Sequence, residues 1–191
     1  MNFLKKENTI NYKLSDLNNV DILKLTLNLF DNKRYEEVKK LTSKVKINSK
    51  DQYWIHYLRG FSCFKLSEYD DAMFYFKQAL EIKPESAICY LQIGRSYHHK
   101  KDFKNAKINY DHAILLKKDY AEAIANLGKL YKDFDLFSKS KHYLNKALKI
   151  RNNYPQVLNM LGALFEAQNN FKKASRYYYK AINLNDNYFE P

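Results

Sequence analysis

Residues of this chain whose types suit metal binding include His98, His99, His112 and His142 among its five histidines, with Cys63 and Cys89 as the only thiols. A structural or catalytic zinc needs three or four such ligands converging on one point, and two of them on one helix must stand at i, i+4. His98 and His99 are adjacent, so a helix sends them to different faces. Neither cysteine has a neighbour at zinc or redox spacing, and no carboxylate completes a ligand motif. The expectation is surface or groove histidines, reduced thiols packed in helices, no metal and no cofactor. The chain holds no nucleophile motif and no paired-carboxylate constellation, and its four glycines are too few for a phosphate-cradling loop, so no catalysis of its own is expected. What remains is charge and aromatic surface: 33 Lys and Arg against 21 Asp and Glu, 17 Tyr, 12 Phe and one Trp. Those are groups of recognition, and what they recognise depends on the elements that hold them.

The elements repeat. Gly60, Gly94, Gly128 and Gly162 stand 34 residues apart and are the only glycines. Tyr35, Tyr69, Phe103, Phe137 and Phe171 keep that step, as do Ala79, Ala113, Ala147 and Ala181. A period of that length signals stacked structural units rather than one closed core. Within each unit the apolar residues recur at three- and four-residue spacings in two stretches parted by a short polar break, which is the pattern of two amphipathic helices. The units are 19–52, 53–86, 87–120, 121–154 and 155–188, preceded by an N-terminal extension over 1–18 and followed by 189–191. In the third unit Tyr90, Ile93, Gly94 and Tyr97 share one face of the first helix, and Ala106, Tyr110 and Ala113 share one face of the second. Small residues at Gly94 and Ala113 let the two backbones approach.

The chain resembles the tetratricopeptide repeat family. The family pattern of W-x2-L-G-x2-Y, A-x3-F and a closing P is met at Gly60, Ala72, Phe76, Ala79 and Pro84 in the second unit. It returns at Leu127, Gly128, Tyr131 and Ala147 in the fourth and at Leu161, Gly162, Ala174, Tyr178 and Ala181 in the fifth. The first unit departs, with Thr26 at the glycine position and Val38 and Val45 at alanine positions, and the fourth has Ser140 and Leu144 where alanine and an aromatic are usual. The resemblance implies an all-α, right-handed α-solenoid of five helix-turn-helix repeats.

The resemblance also implies a concave groove lined by the second, fifth, ninth and twelfth positions of the first helices. Those positions are Val20, Leu23, Leu27 and Phe30, then Trp54, Tyr57, Phe61 and Phe64, an apolar half. They continue as Ile88, Leu91, Arg95 and His98, then Glu122, Ala125, Lys129 and Lys132, with a basic centre. In long superhelices of the family the residue two before the glycine is often an asparagine that pairs with a bound peptide's backbone, and here Leu58, Gln92, Asn126 and Met160 stand there. The expected partner-binding residues are therefore Trp54, Tyr57, Phe61, Phe64, Gln92, Arg95, His98, Asn126, Lys129 and Lys132. A peptide with an apolar anchor followed by an acidic or carboxylate-bearing stretch suits them. Inter-repeat packing of the aromatics is the competing expectation, as is cover from Phe3, Leu4, Ile10, Tyr12, Leu14 and Leu17 of the extension. The residue set by which some family members clamp chaperone tails is missing.

No apolar run reaches the length of a membrane span or a signal peptide, and a cytoplasmic protein is expected. The basic residues Lys104, Lys107, Lys139, Lys141, Lys146 and Lys149 fall on second helices that face outward, where a solvated surface accounts for them and nucleic-acid contact is not expected. Only NDNYFEP follows the fifth hairpin, with no capping helix, so self-association through the C-terminal repeat is one alternative. The leading expectation is a protein-interaction scaffold. The alternative is the non-catalytic repeat arm of a glycosyltransferase- or sulfotransferase-type enzyme, and an RNA-associated helical repeat stands behind both.

Overall fold

The computed structural model describes residues 19–44 and 51–186, so the expectations that residues 1–18 cover the groove and that 189–191 lack a cap lie outside it. Ten helices follow one another among the described residues: α1 (Asn19–Asp31), α2 (Tyr35–Ser43), α3 (Gln52–Lys65), α4 (Tyr69–Ile82), α5 (Ala87–His99), α6 (Phe103–Leu116), α7 (Ala121–Asp133), α8 (Phe137–Ile150), α9 (Pro155–Ala167) and α10 (Phe171–Asp186). They pair as antiparallel hairpins, and each first helix also touches the first helix of the next hairpin, as α5 touches α7 and α7 touches α9. The result is an all-α solenoid with α1, α3, α5, α7 and α9 on one side.

Each first helix is stopped in the same way. In the third hairpin the Asp102 amide donates to the Tyr97 carbonyl at 2.9 Å and the Lys101 amide donates to the His98 carbonyl at 2.9 Å. This double bond pattern closes a helix when the residue after its C-cap turns left-handed, usually a glycine. Here that residue is Lys101 at φ 61°, with Lys33, Ser67, Asp135 and Asn169 equally left-handed at the matching turns. The turns work without glycine, and glycine is kept for packing.

That packing is a close approach of two helices. A Cβ placed on Gly94 would lie 2.7 Å from Cδ1 and Cε1 of Tyr110 and 3.2 Å from the Ala106 carbonyl oxygen. Gly60 meets Phe76, Gly128 meets Leu144 and Gly162 meets Tyr178 in the same arrangement. The residues opposite, Phe76, Tyr110 and Leu144, are wholly buried and seat the first helix of the next repeat as well: Phe76 clusters with Cys89 and Ile93, Tyr110 with Ala123 and Leu127, Leu144 with Val157 and Leu161. In the first hairpin the pair of positions reads Thr26 and Thr42, so the missing glycine is met by a smaller residue opposite. Both threonines are buried, and their hydroxyls donate to the carbonyls of Ile22 and Val38 at 2.7 Å.

Two substitutions test this packing. Gly94→Leu forces the Tyr110 ring away and costs roughly 1–3 kcal/mol in urea-denaturation stability. Ser140, which stands where the second, third and fifth repeats have alanine, is buried with its hydroxyl unpaired among the described residues. Ser140→Ala removes that orphaned hydroxyl and raises stability by about 1 kcal/mol in the same measurement.

Candidate binding groove

Amphipathic first helices put their ninth and twelfth residues one turn apart on the same side, and successive hairpins bring those turns together. Arg95 and His98, ninth and twelfth on α5, meet Asn126 and Lys129, sixth and ninth on α7, and Gln156 and Met160, second and sixth on α9, in one cleft of about 730 Å³. Its walls also include His99, Lys101, Glu122, Asp133, Arg151 and Tyr154.

The two arginines of the cleft lie over aromatic rings rather than against carboxylates. The Arg95 guanidinium lies 4.6 Å from the Phe64 ring centroid and donates to Gln92 Oε1 at 3.0 Å. Arg151 lies 4.6 Å from the Tyr154 ring centroid. A planar guanidinium over a ring keeps its charge, loses little hydration, and leaves its outer edge for a ligand. Among the described residues Arg95, Lys101, Lys129 and Arg151 have no ion pair, and of the two carboxylates in the cleft one, Asp133, is already taken by His98 and Lys132.

His98 is a fixed part of the floor. Its Nε2 stands 2.8 Å from Asp133 Oδ2 and its Nδ1 3.4 Å from the Tyr110 hydroxyl. Burial holds its pKa below the ordinary histidine value, with Lys129 and Lys132 acting in the same direction and the Asp133 carboxylate opposing them. For Asp133 burial pulls upward, but the bonds from Lys132 and His98 outweigh it and keep the carboxyl below its usual range. The neutral imidazole therefore donates from Nε2 to a charged Asp133 and ties the third repeat to the fourth.

The ten residues expected from sequence separate into three groups. Arg95, His98, Asn126 and Lys129 meet in the cleft, where the Asn126 amide nitrogen donates to the Glu122 carbonyl at 2.7 Å. Gln92, 4% exposed, lies beneath and orients Arg95, while Lys132 points to Asp133 at 2.9 Å. Trp54, Tyr57, Phe61 and Phe64 stand outside the cleft in a ladder of ring contacts: Tyr57 packs on Phe76, Phe61 on Phe30, and Phe64 under Arg95 and His99. Of the four, Trp54 is the open one, at 48% exposure.

Arg151 and Tyr154 were missed because the groove positions were counted on first helices alone. Their signal is present as a basic residue three before a tyrosine at the unit boundary, RNNY at 151–154 and KKDY at 117–120, and Lys117 lies over Tyr120 at 4.9 Å. Cys63 and Cys89 are buried, and burial pushes the Cys63 thiol up to about 12. Among the described residues no cluster of three or more potential metal ligands occurs, and no helix is long and apolar enough to cross a membrane.

A lowered histidine pKa in the folded chain means the unfolded chain takes the proton first, so acid favours unfolding. Stability is full above the unfolded value of about 6.5 and falls as pH drops below it. His98, together with His56 and His99, whose values are lowered for the same reason of burial, sets that loss. In urea titrations from about a unit above the free imidazole value to about one and a half units below it, His98→Gln will show a shallower decline than the parent chain.

The pattern of the tetratricopeptide repeat matches residues 53–86, 87–120, 121–154 and 155–188. No curated protein matches the chain. Among solved structures, TTC0263, a thermophilic TPR protein in Thermus thermophilus, superposes with a TM-score of 0.75 at 20% identity, over 87% of this chain and 91% of that one. MamA 41-end from Desulfovibrio magneticus RS-1 gives 0.68 at 19% identity over 89% and 98%. A chain of the APC/C hetero-tetramer Cut9-Hcn1 gives 0.74 at 14% identity over 84% of this chain and 31% of its own length. At these identities the likeness is one of fold.

Proposed function

Because this chain belongs to the tetratricopeptide repeat family, matched over its second to fifth units, we propose that it is a protein-interaction scaffold whose cleft between α5, α7 and α9 holds an acidic segment of a partner. The observation that carries the reading is the convergence of Arg95, Lys129 and Arg151 on one cleft, with no carboxylate of the described residues paired to them. An incoming carboxylate meets two guanidinium groups already oriented by Phe64 and Tyr154, so little side-chain order has to be imposed on binding. Asn126 Oδ1 and Gln156 offer polar partners to the ligand backbone beside it. Trp54, exposed on α3, serves as an anchor for an apolar residue of the same partner. On this reading the chain binds and presents, and performs no chemistry.

The test is fluorescence anisotropy with labelled peptides that carry an apolar anchor followed by an aspartate- and glutamate-rich run, set against the same peptides with asparagine and glutamine. Arg95→Glu with Lys129→Glu lowers affinity for the acidic peptides at least tenfold, and Trp54→Ala weakens it further without touching the acidic preference. Equal binding of acidic and amide peptides, or of parent and variant, removes the cleft as the working surface.

A further inference from the structure

The second helix of each hairpin carries two faces. One packs on its own first helix, and the other, built from its first, eighth and twelfth positions, packs under the first helix of the following hairpin. In α4 those positions are Tyr69, Phe76 and Leu80, in α6 Phe103, Tyr110 and Ile114, and in α8 Phe137, Leu144 and Leu148, all at least half-buried. In α10 they are Phe171, Tyr178 and Ile182, and among the described residues Phe171 is 62% and Ile182 55% exposed. This open face is the next copy of an interface the molecule already forms at α2 with α3, α4 with α5, α6 with α7 and α8 with α9.

Two departures of α10 from the repeat indicate what belongs on it. The ninth position, on the same side of the helix, is Lys77, Asp111 and Asn145 in α4, α6 and α8 but Tyr179 in α10, 66% exposed. A tyrosine there widens the apolar stripe with a side chain favoured in binding surfaces. The second and sixth positions, which border the stripe, pair Asp70 with Phe74, Lys104 with Ile108 and Ser138 with His142, whereas α10 pairs Lys172 with Arg176. Two permanent cations thus stand one turn apart along the open edge. Lys141, Lys173 and Lys180 extend that charge around an adjoining hollow shared with Arg176, Tyr177 and Tyr179, which no carboxylate lines.

We propose that the open face of α10 receives an acidic amphipathic helix of a partner protein, laid where a further repeat would place its first helix. The partner's apolar stripe covers Phe171, Tyr178, Tyr179 and Ile182, and its acidic edge meets Lys172 and Arg176. A second copy of this chain fits less well at either end. Two α10 faces packed antiparallel about a two-fold axis bring their cationic edges to the same side, where like charges repel. The outer face of α1 presents Asp21 and Asn28 at the third and tenth positions, where α9 presents Val157 and Leu164, so α1 is a more polar cover for a second helix than α9.

The probe is a stapled peptide patterned on α9, the helix that covers the equivalent face of α8, with glutamates along its outer edge, and a twin with lysines there. With the full chain, the acidic peptide binds saturably in anisotropy and the lysine twin at least tenfold more weakly. Phe171→Glu with Ile182→Glu abolishes binding, and Lys172→Glu with Arg176→Glu reverses the preference between the peptides. These side chains are exposed, so unchanged thermal melting certifies the fold of each variant. The proposal is overturned if the acidic peptide fails to bind, if the lysine twin binds as well, or if binding survives loss of Phe171 and Ile182. It is equally overturned if sedimentation shows a dimer that Phe171→Glu splits, which makes a second copy the occupant, or if the peptide binds only after residues 187–191 are removed.

Discussion

The approach of two helix backbones at a residue with no side chain governs the rest of this molecule. Gly60, Gly94, Gly128 and Gly162 let the ring or branched chain sixteen residues later lie flat against the first helix. At the first three glycines that same side chain, Phe76, Tyr110 or Leu144, then seats the next repeat, so one contact fixes both the hairpin and the stacking of hairpins. Stability in such a stack is nearly a sum of unit terms and neighbour terms, and each of those three glycines enters both. A bulkier residue at one of the three disturbs three helices at once.

The cleft inherits its order from that stacking. Arg95 belongs to the third repeat, yet Phe64 of the second orients it, and His98 of the third is fixed by Asp133 of the fourth. Arg151 and Tyr154 arrive from the turn between the fourth and fifth. No repeat owns the cleft, and its geometry follows from the angle at which neighbours meet. Lys39, bonded to Glu68 at 2.6 Å in a partly buried pair, joins the first repeat to the second, and Lys100, bonded to Asp70, joins the third to the second, though an exposed pair such as the latter contributes little to stability.

The fold was legible because a close backbone approach admits so few residue types that its period survives in plain view. The charged half of the cleft was legible for a related reason: Arg95, His98 and Lys129 sit at positions a helical count identifies. What the count could not supply was tertiary. Phe64 looks like exposed groove surface on its own helix and becomes the bed under Arg95 and His99 only when the third repeat is added. Gln92 reads as a ligand-facing amide until its burial beneath Arg95 is seen. Arg151 lies past the end of a helix, where periodicity says nothing about direction.

The threonine pair of the first hairpin bears on how the chain avoids mistakes while folding. Units of equal length and similar pattern invite a first helix to pair with the second helix of a neighbour, a kinetic trap common in tandem arrays. At Thr26 such an exchange would press the Phe76 ring against a branched side chain instead of a glycine, and Thr42 against Gly60 would leave a void the size of a ring. Both mispairings are penalised, one by collision and the other by emptiness. The hairpin that departs furthest from the family pattern is therefore a register mark, telling the chain which end of the array comes first.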